Sequence, residues 1–233
     1  MMKQCIAVVL FCFSLIACAG SSASQPVQWH YGVGSNIDDI WASKTEFSRN
    51  GQIFYADKGK GNYGAAFEKN IIGKEYYWAG GGGLPTDAEP LPHRAVLEVV
   101  SFYDQKRYRI KVDLPKDLEQ QMKQVYQVDG HKERRDWLYF GLAPGGYYEV
   151  LLMGRSLGVS PDILLSRGIA EDVTDDWYDQ KVPVAEQYGM DSFMSKYGEL
   201  FNKHPVPSGM DWAPIMDAYR AAQPITDLKP VRE

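Results

Sequence analysis

Two stretches of alternating side chains, residues 95–103 and 106–114, constrain the fold more than any other part of the sequence. Alternation with a period of two is typical of a β-strand that has one buried face. A tight turn at residues 104–105 then predicts a hairpin in which Leu97 pairs with Val112. A slip of one residue would turn the apolar side chains of one strand into water, so this hairpin needs a core against one face.

A helix is predicted directly after this hairpin. Pro115 suits the first turn of a helix, because it lacks an N–H that would have no partner there. Leu118, Met122 and Val125 recur at the spacing of one helix face, which indicates about three amphipathic turns. The Asp-Gly pair at residues 129–130 ends the helix.

A second hairpin follows, with strands at residues 137–142 and 147–153 around a Pro-Gly-Gly turn. Two helices are predicted near the end of the chain, one over residues 184–203 and one that Asp211 caps and that ends near Ala222. Hairpins followed by helices predict an α+β fold: an antiparallel β-sheet with a helix after the central hairpin and C-terminal helices packed on it. Further strands are predicted at residues 27–33, 52–56 and 162–167.

The first 17 residues are predicted to be a signal peptide. Lys3 supplies a positive charge before an apolar stretch at residues 6–16, which only Ser14 interrupts. That stretch is too short for a membrane-spanning helix, because such a helix needs roughly 20 apolar residues.

The sequence Leu15-Ile16-Ala17-Cys18 resembles the lipobox of bacterial lipoproteins, in which a small residue precedes an obligatory cysteine. The resemblance implies that the chain is cut before Cys18 and that fatty acids such as palmitate are attached there. Several acyl chains, at about 0.8 kcal/mol per buried CH₂, anchor a protein permanently. Ala19 stands where an Asp would retain a lipoprotein in the inner membrane, which favours the outer membrane and a periplasmic orientation. The alternative is an ordinary signal peptide with a coincidental cysteine.

The chain divides at the predicted anchor. Residues 18–26 are the lipidated cysteine and a small, polar tether, whose eight residues after Cys18 reach at most about 28 Å. Residues 27–233 are predicted to be one α+β domain, which contains no cysteine and hence no disulfide. The formal charge of −5 becomes −6 when Lys3 leaves with the signal peptide. This acidity argues against nucleic-acid binding and permits a basic protein partner.

One short motif suggests catalysis. Residues 154–158 match G-x-S-x-G, the nucleophile elbow of α/β-hydrolases. Ser156, then Asp175 or Asp176, and then His204 follow in the order of a catalytic triad. Pro161 disfavours the helix that must follow the serine, and the preceding hairpins do not build the parallel sheet that holds an elbow. We therefore interpret the motif as a loop after a strand and expect no enzymatic activity.

No metal or cofactor site is expected. His30, His93, His131 and His204 are scattered and lack the close spacing of metal ligands on one helix. The glycine-rich residues 58–64 lack the residue order of a phosphate-binding P-loop, so they are predicted to be a loop.

Five carboxylates surround two aromatic side chains in residues 171–179, without the residue spacing of a calcium loop. One interpretation is a solvated acidic loop whose Trp177 packs into the core. The other is a recognition patch, in which aromatic side chains anchor a basic partner that the carboxylates attract. The recognition patch would consist of Asp172, Asp175, Asp176, Trp177 and Tyr178.

Several motifs together resemble a family of bacterial lipoproteins that is classed as a domain of unknown function. They are Trp78-Ala79, Leu91-Pro92, Ser101-Phe102-Tyr103-Asp104, Lys106-Arg107-Tyr108, Leu114-Pro115 and Gly141-Leu142-Ala143-Pro144-Gly145-Gly146. The resemblance covers about residues 26–225. It implies no catalytic residues, because the family is not known for catalysis. Some similar lipoproteins look like immunity proteins encoded beside type VI secretion effectors, notably lipases.

These observations predict an envelope lipoprotein that is bound to the membrane through lipid on Cys18 and acts by binding a protein. Its most concrete form is an immunity protein that neutralises a secreted effector such as a lipase. Two alternatives stay open: a structural or assembly role in the envelope without a toxin partner, and a serine esterase that uses Ser156.

Overall fold

The computed structural model describes residues 27–79, 84–85, 90–128, 130–154, 162–174, 181–183 and 186–223. The predicted signal peptide, Cys18 and the tether lie outside these residues. Within the described ranges, no helix is long and apolar enough to cross a membrane.

The elements follow one another as strands first and longer helices last. In chain order the strands are β1 (His30–Ser35), β2 (Asp39–Arg49), β3 (Gln52–Gly64), β4 (Leu84–Pro85), β5 (Arg94–Ser101), β6 (Lys106–Asp113), β7 (Val125–Val128), β8 (His131–Arg134), β9 (Trp137–Ala143), β10 (Tyr147–Met153), β11 (Ile163–Ile169) and β12 (Glu171–Asp172). The helices are α1 (Glu68–Gly73), α2 (Leu118–Lys123), α3 (Met190–Lys203) and α4 (Trp212–Ala222), and short 3-10 turns lie at Pro144–Gly146 and Gly209–Asp211.

All of these strands except β7 and β8 form two five-stranded sheets. The first has the order β11-β10-β9-β1-β4 and the second the order β12-β6-β5-β2-β3. Neighbouring strands are antiparallel except β1 and β9, which are parallel. One face of each sheet contributes to a common core, in which Phe47 of the second sheet contacts Phe140 of the first. The predicted α+β class is confirmed, but the strands divide over two packed sheets rather than one.

The first sheet is covered on both faces. Phe140 and Val150 point into the core between the sheets, whereas Tyr139 and Leu151 pack on the opposite face together with Trp212 of α4. A strand that is buried on both faces has no polar side to alternate with its apolar one. This burial explains why β9 and β10 have nearly continuous apolar sequences, and it confirms the second predicted hairpin.

The first hairpin is present, but its predicted register is wrong by two residues. β5 and β6 pair Leu97 with Ile110 rather than with Val112, and residues 102–105 form the turn. The side chains keep their predicted faces, because a shift of two residues preserves the alternation. Asp38 explains the longer turn, since its carboxylate accepts a hydrogen bond at 2.9 Å from a backbone N–H of this turn.

The helix after this hairpin is shorter than predicted. α2 ends at Lys123 because Gln124 has an extended backbone, and Val125 begins β7 instead of a third helical turn. Gly130, at a φ of 82°, reverses the chain between β7 and β8. These two strands pair with each other and form a separate two-stranded sheet, the β7–β8 hairpin.

The glycine-rich residues 58–64 are strand rather than loop, so that prediction was wrong. They form the last part of β3, where Gly61 pairs with Ala42 and Gly64 pairs with Asp39 of β2. β3 lies at the edge of its sheet, and a bulge interrupts its pairing with β2. Glycine is tolerated at such edges and bulges. Neither β2 nor α1 was predicted from the sequence.

The C-terminal helices are both present. α3 begins later than predicted, because Tyr188 and Gly189 have φ values of 57° and 84°, which belong to the left-handed region. α4 begins after Asp211 and ends at Ala222 as predicted, although the Asp211 side chain makes no capping hydrogen bond.

The sandwich has two distinct ends. At the N-terminal end, β1 begins at His30, which pairs with Trp137 at the start of β9. The β2–β3 turn, α2 and the β7–β8 hairpin also lie at this end. At the far end lie residues 36–38, residues 102–105 and Pro144–Gly146, which connect the strands there.

Candidate functional site

The predicted recognition patch lies only partly within the described residues. Asp172 belongs to β12, which pairs with β6 at the edge of the second sheet. The Asp172 carboxylate binds the Lys106 ammonium at 2.7 Å, and the neighbouring Glu171 binds Lys111 at 2.7 Å. Outside the described residues lie Asp175, Asp176, Trp177 and Tyr178. The recognition patch therefore stays a prediction, and the Asp172 carboxylate is already paired within the chain.

The G-x-S-x-G motif begins at Gly154, directly after β10, while Ser156 lies outside the described residues. β10 is antiparallel to both of its neighbours, β9 and β11. A nucleophile elbow follows a strand of an α/β-hydrolase sheet, in which the strands are parallel. The strand before this motif therefore has different surroundings from those of an elbow.

Glu149, in the middle of β10, is the centre of a buried polar cluster beneath α4. Its Oε2 accepts a hydrogen bond from Trp78 Nε1 at 2.8 Å, and its Oε1 accepts one from the Tyr147 hydroxyl at 2.6 Å. The Arg220 guanidinium of α4 forms an ion pair with the same carboxylate. Glu149 is fully buried, and a buried carboxylate is strongly unfavourable without such partners. The cluster therefore fastens α4 to the first sheet.

Arg220 connects this buried carboxylate to the surface. Its guanidinium also binds Asp217, whose two carboxylate oxygens accept hydrogen bonds from Arg167 at 2.8 and 2.9 Å. Burial alone lowers the pKa of Arg220, but its hydrogen bonds to Glu149 and Asp217 outweigh burial and raise that pKa. The guanidinium is therefore charged and committed to these two carboxylates.

A second polar cluster, formed by Gln223 and Asp162, lies at the end of α4. Gln223 donates a hydrogen bond to the Asp162 carboxylate and accepts one from the Asp162 backbone N–H, each at 2.8 Å. Burial raises the pKa of Asp162 to about 6, although the hydrogen bond from Gln223 and the charge of Arg220 act in the opposite direction. These two hydrogen bonds join the start of β11 to the residue that follows α4.

A third polar cluster lies at the far end of the sandwich. Asp104 accepts hydrogen bonds from the Gly145 N–H at 2.7 Å and from the Tyr108 hydroxyl at 3.0 Å. Asp38 accepts one from the Ser101 hydroxyl. Burial raises the pKa of Asp38 well above its usual range, although two hydrogen bonds to its carboxylate offset part of the effect. The bond between Asp104 and Gly145 ties the turn of the first hairpin to the turn of the second, and Asp38 ties residues 36–38 to the first hairpin.

The clusters explain several motifs on which the family resemblance rests. Trp78 binds Glu149, and its ring lies 2.5 Å from the position that a Cβ on Gly141 would occupy. Only glycine leaves room for the ring there. Asp104 and Gly145 belong to two further motifs and bind each other. We therefore assign these motif residues to the stability of the fold.

An open cleft of about 260 Å³ lies between α1 and α3. Its lining residues are Glu68, Lys196, Tyr197, Glu199, Leu200 and Lys203. Both signs of charge are present, so the cleft favours neither an anion nor a cation. In the described part of the chain, no group of three His, Cys, Asp or Glu side chains is placed to hold a metal ion.

Neither Glu149 nor Arg220 was predicted from the sequence as a functional or structural site. The signal for Glu149 was available, because one charge within the apolar sequence of Tyr147–Met153 predicts a buried carboxylate that needs a partner. No local pattern identifies that partner, since Arg220 lies 71 residues further along the chain.

Comparison with known proteins gives one family. The family described as "Protein of unknown function (DUF2931)" matches residues 16–209. The matched region begins two residues before Cys18 and includes the strands and α3, whereas α4 lies beyond it. No curated protein and no solved structure matches the chain.

Proposed function

The chain belongs to DUF2931, a family of proteins of unknown function, and from that premise we propose that it is an envelope lipoprotein that acts by binding a protein. The lipobox-like sequence ending at Cys18 supports the lipid anchor, and the family match includes this cysteine. Ala19 supports the outer membrane as its location, with the domain in the periplasm.

The buried cluster around Glu149 is the observation that supports binding over catalysis. A general acid or base needs a free oxygen within hydrogen-bond distance of its substrate. Both oxygens of Glu149 accept hydrogen bonds from side chains of the protein itself, one from Trp78 and one from Tyr147. The Glu149 carboxylate therefore holds elements of the fold together, and this structural role favours recognition at the surface as the function of the domain.

In its specific form, the proposal is an immunity protein that occludes a secreted effector, such as a lipase, at the membrane. A toxin that attacks lipids must reach the membrane, and an inhibitor tethered there is present at a high effective concentration. The family resemblance motivates this form of the proposal.

The lipid anchor is tested by mass spectrometry of the mature chain from cell membranes. We expect a chain that begins at acylated Cys18 and fractionates with the outer membrane. Cys18→Ser should abolish acylation, whereas the matched control Cys12→Ser, within the signal peptide, should leave it unchanged. An unmodified Cys18 thiol in the wild-type chain would refute the anchor.

The immunity function is tested by expressing a neighbouring effector gene in the periplasm with and without this protein. Survival only in its presence supports immunity, and equal killing in both cultures rejects it in favour of a structural role. A panel of esters tests the remaining alternative, because turnover that Ser156→Ala abolishes would establish an esterase.

A further inference from the structure

The N-terminal end of the sandwich, where the residues that the structure describes begin, carries two exposed basic side chains, Lys132 and Arg134. The tether precedes β1, and the His30 N–H at the start of β1 donates a hydrogen bond at 2.9 Å to the Asp136 carbonyl. Asp136 lies two residues after Arg134, the last residue of the β7–β8 hairpin. The start of β1 and the end of this hairpin therefore lie side by side.

The two basic residues of the hairpin share one face. Lys132 pairs with Gln127, and Arg134 pairs with Val125. Since alternate residues of a strand point to the same side, Lys132 and Arg134 lie together, and Glu133 lies on the opposite face. Both side chains are exposed.

These two charges differ from most others near the sheets, which are neutralised. Lys106, Lys111 and Arg109 on β6 all have carboxylate partners. Lys132 and Arg134 have no ion-pair partner among the residues that the structure describes. Unpaired cations keep their full attraction for an external anion.

One apolar side chain adds to this end of the molecule. Ile53, beside the β2–β3 turn, is 58% exposed. Exposed cations and an exposed apolar residue at the same end of a molecule favour binding at the interface of an anionic membrane.

We propose that the β7–β8 hairpin is a second membrane contact, in which Lys132 and Arg134 bind the headgroups of anionic phospholipids beside the lipid anchor. This contact rests on the proposed anchor at Cys18. Each basic residue close to an anionic surface raises the affinity about fivefold. The contact orients the domain, so that the N-terminal end faces the membrane and the far end faces a partner.

The test uses the full chain, processed and acylated in cells and then reconstituted into vesicles. The other cysteines, Cys5 and Cys12, leave with the signal peptide, so an introduced thiol is a unique labelling site. Gln127→Cys places an environment-sensitive fluorophore on the hairpin and keeps both basic residues. Lys203→Cys places it at the end of α3, and serves as the control position.

The Gln127→Cys probe should shift its emission to shorter wavelength in vesicles that contain phosphatidylglycerol and not in vesicles of phosphatidylcholine alone. Roughly 1 M salt should remove the shift, because screening then acts within a few ångströms. Lys132→Glu with Arg134→Glu should also remove it. Lys69→Glu with Lys203→Glu makes the same change of net charge elsewhere and should leave the shift unchanged.

Unchanged emission in phosphatidylglycerol vesicles, or an equal shift in both kinds of vesicle, would overturn the hairpin contact. The mass of the chain, measured before reconstitution, separates this failure from that of the proposed anchor. An unacylated chain overturns both proposals, whereas an acylated chain with an unmoved probe overturns the hairpin contact alone.

Discussion

Arg220→Met tests whether the ion pair beneath α4 holds the domain together. The variant removes the guanidinium and leaves the fully buried Glu149 carboxylate with two neutral donors, Trp78 and Tyr147. Removing one partner of a buried ion pair destabilises a protein by about 3–5 kcal/mol. With a typical urea dependence of about 2 kcal/mol per M, the unfolding midpoint should fall by about 1.5–2.5 M.

The measurement is urea unfolding of the chain that begins at Ala19, followed by tryptophan fluorescence. The matched control is Lys123→Met, which breaks an exposed pair with Glu119 and should cost about 0.5 kcal/mol or less. Glu149→Gln added to Arg220→Met should restore much of the lost stability, because no charge is then buried alone. Equal losses for Arg220→Met and Lys123→Met, or no recovery in the double variant, would refute the reasoning.

Two further predictions concern packing and pH. Gly141→Ala should destabilise the fold by about 1–3 kcal/mol, because its Cβ would lie 2.5 Å from the Trp78 ring. Gly198→Ala in α3 should stabilise the fold by up to about 1 kcal/mol in the same urea assay, because its Cβ would lie 3.7 Å from the nearest atom and alanine favours a helix. Burial raises the pKa of Asp162 from 3.8 to about 6, so its contribution to stability is full below about pH 4 and is lost as the pH rises through about 6. Asp162→Asn should remove about 3 kcal/mol of this pH dependence, and parallel stability profiles of the two proteins between pH 4 and 7 would contradict it.

The β5–β6 and β9–β10 hairpins were predictable from sequence because their information is local. The alternation in residues 95–114 determines which side chains face the core, and the structure keeps those faces. The register was not predictable, because Asp38 binds the turn of this hairpin from 65 residues away. The full length of β3 was not predictable for the same reason, because its glycine-rich residues 58–64 form a strand only through their pairing with β2.

The buried cluster beneath α4 was only half predictable. Glu149 is a charged residue within an apolar strand, which predicts a buried carboxylate. Its partners could not be predicted, because Trp78 lies in a loop and Arg220 in a distant helix. The recognition patch has the opposite difficulty. Its acidic and aromatic residues stand out in the sequence. The local pattern does not show, however, that Lys106 neutralises Asp172, the one member of the patch that the structure describes.

The ion pair beneath α4 also selects the position of that helix. Trp212 and Met216 are one turn apart on its apolar face, so apolar packing alone distinguishes poorly between neighbouring positions along the helix axis. A slip by one turn would move Arg220 by about 5.4 Å, beyond hydrogen-bond distance of Glu149. The buried carboxylate would then lack its counter-charge, at a cost similar to that expected for Arg220→Met. We infer that Glu149 contributes specificity of packing, because it makes a position of α4 displaced by one turn much less stable than the observed one.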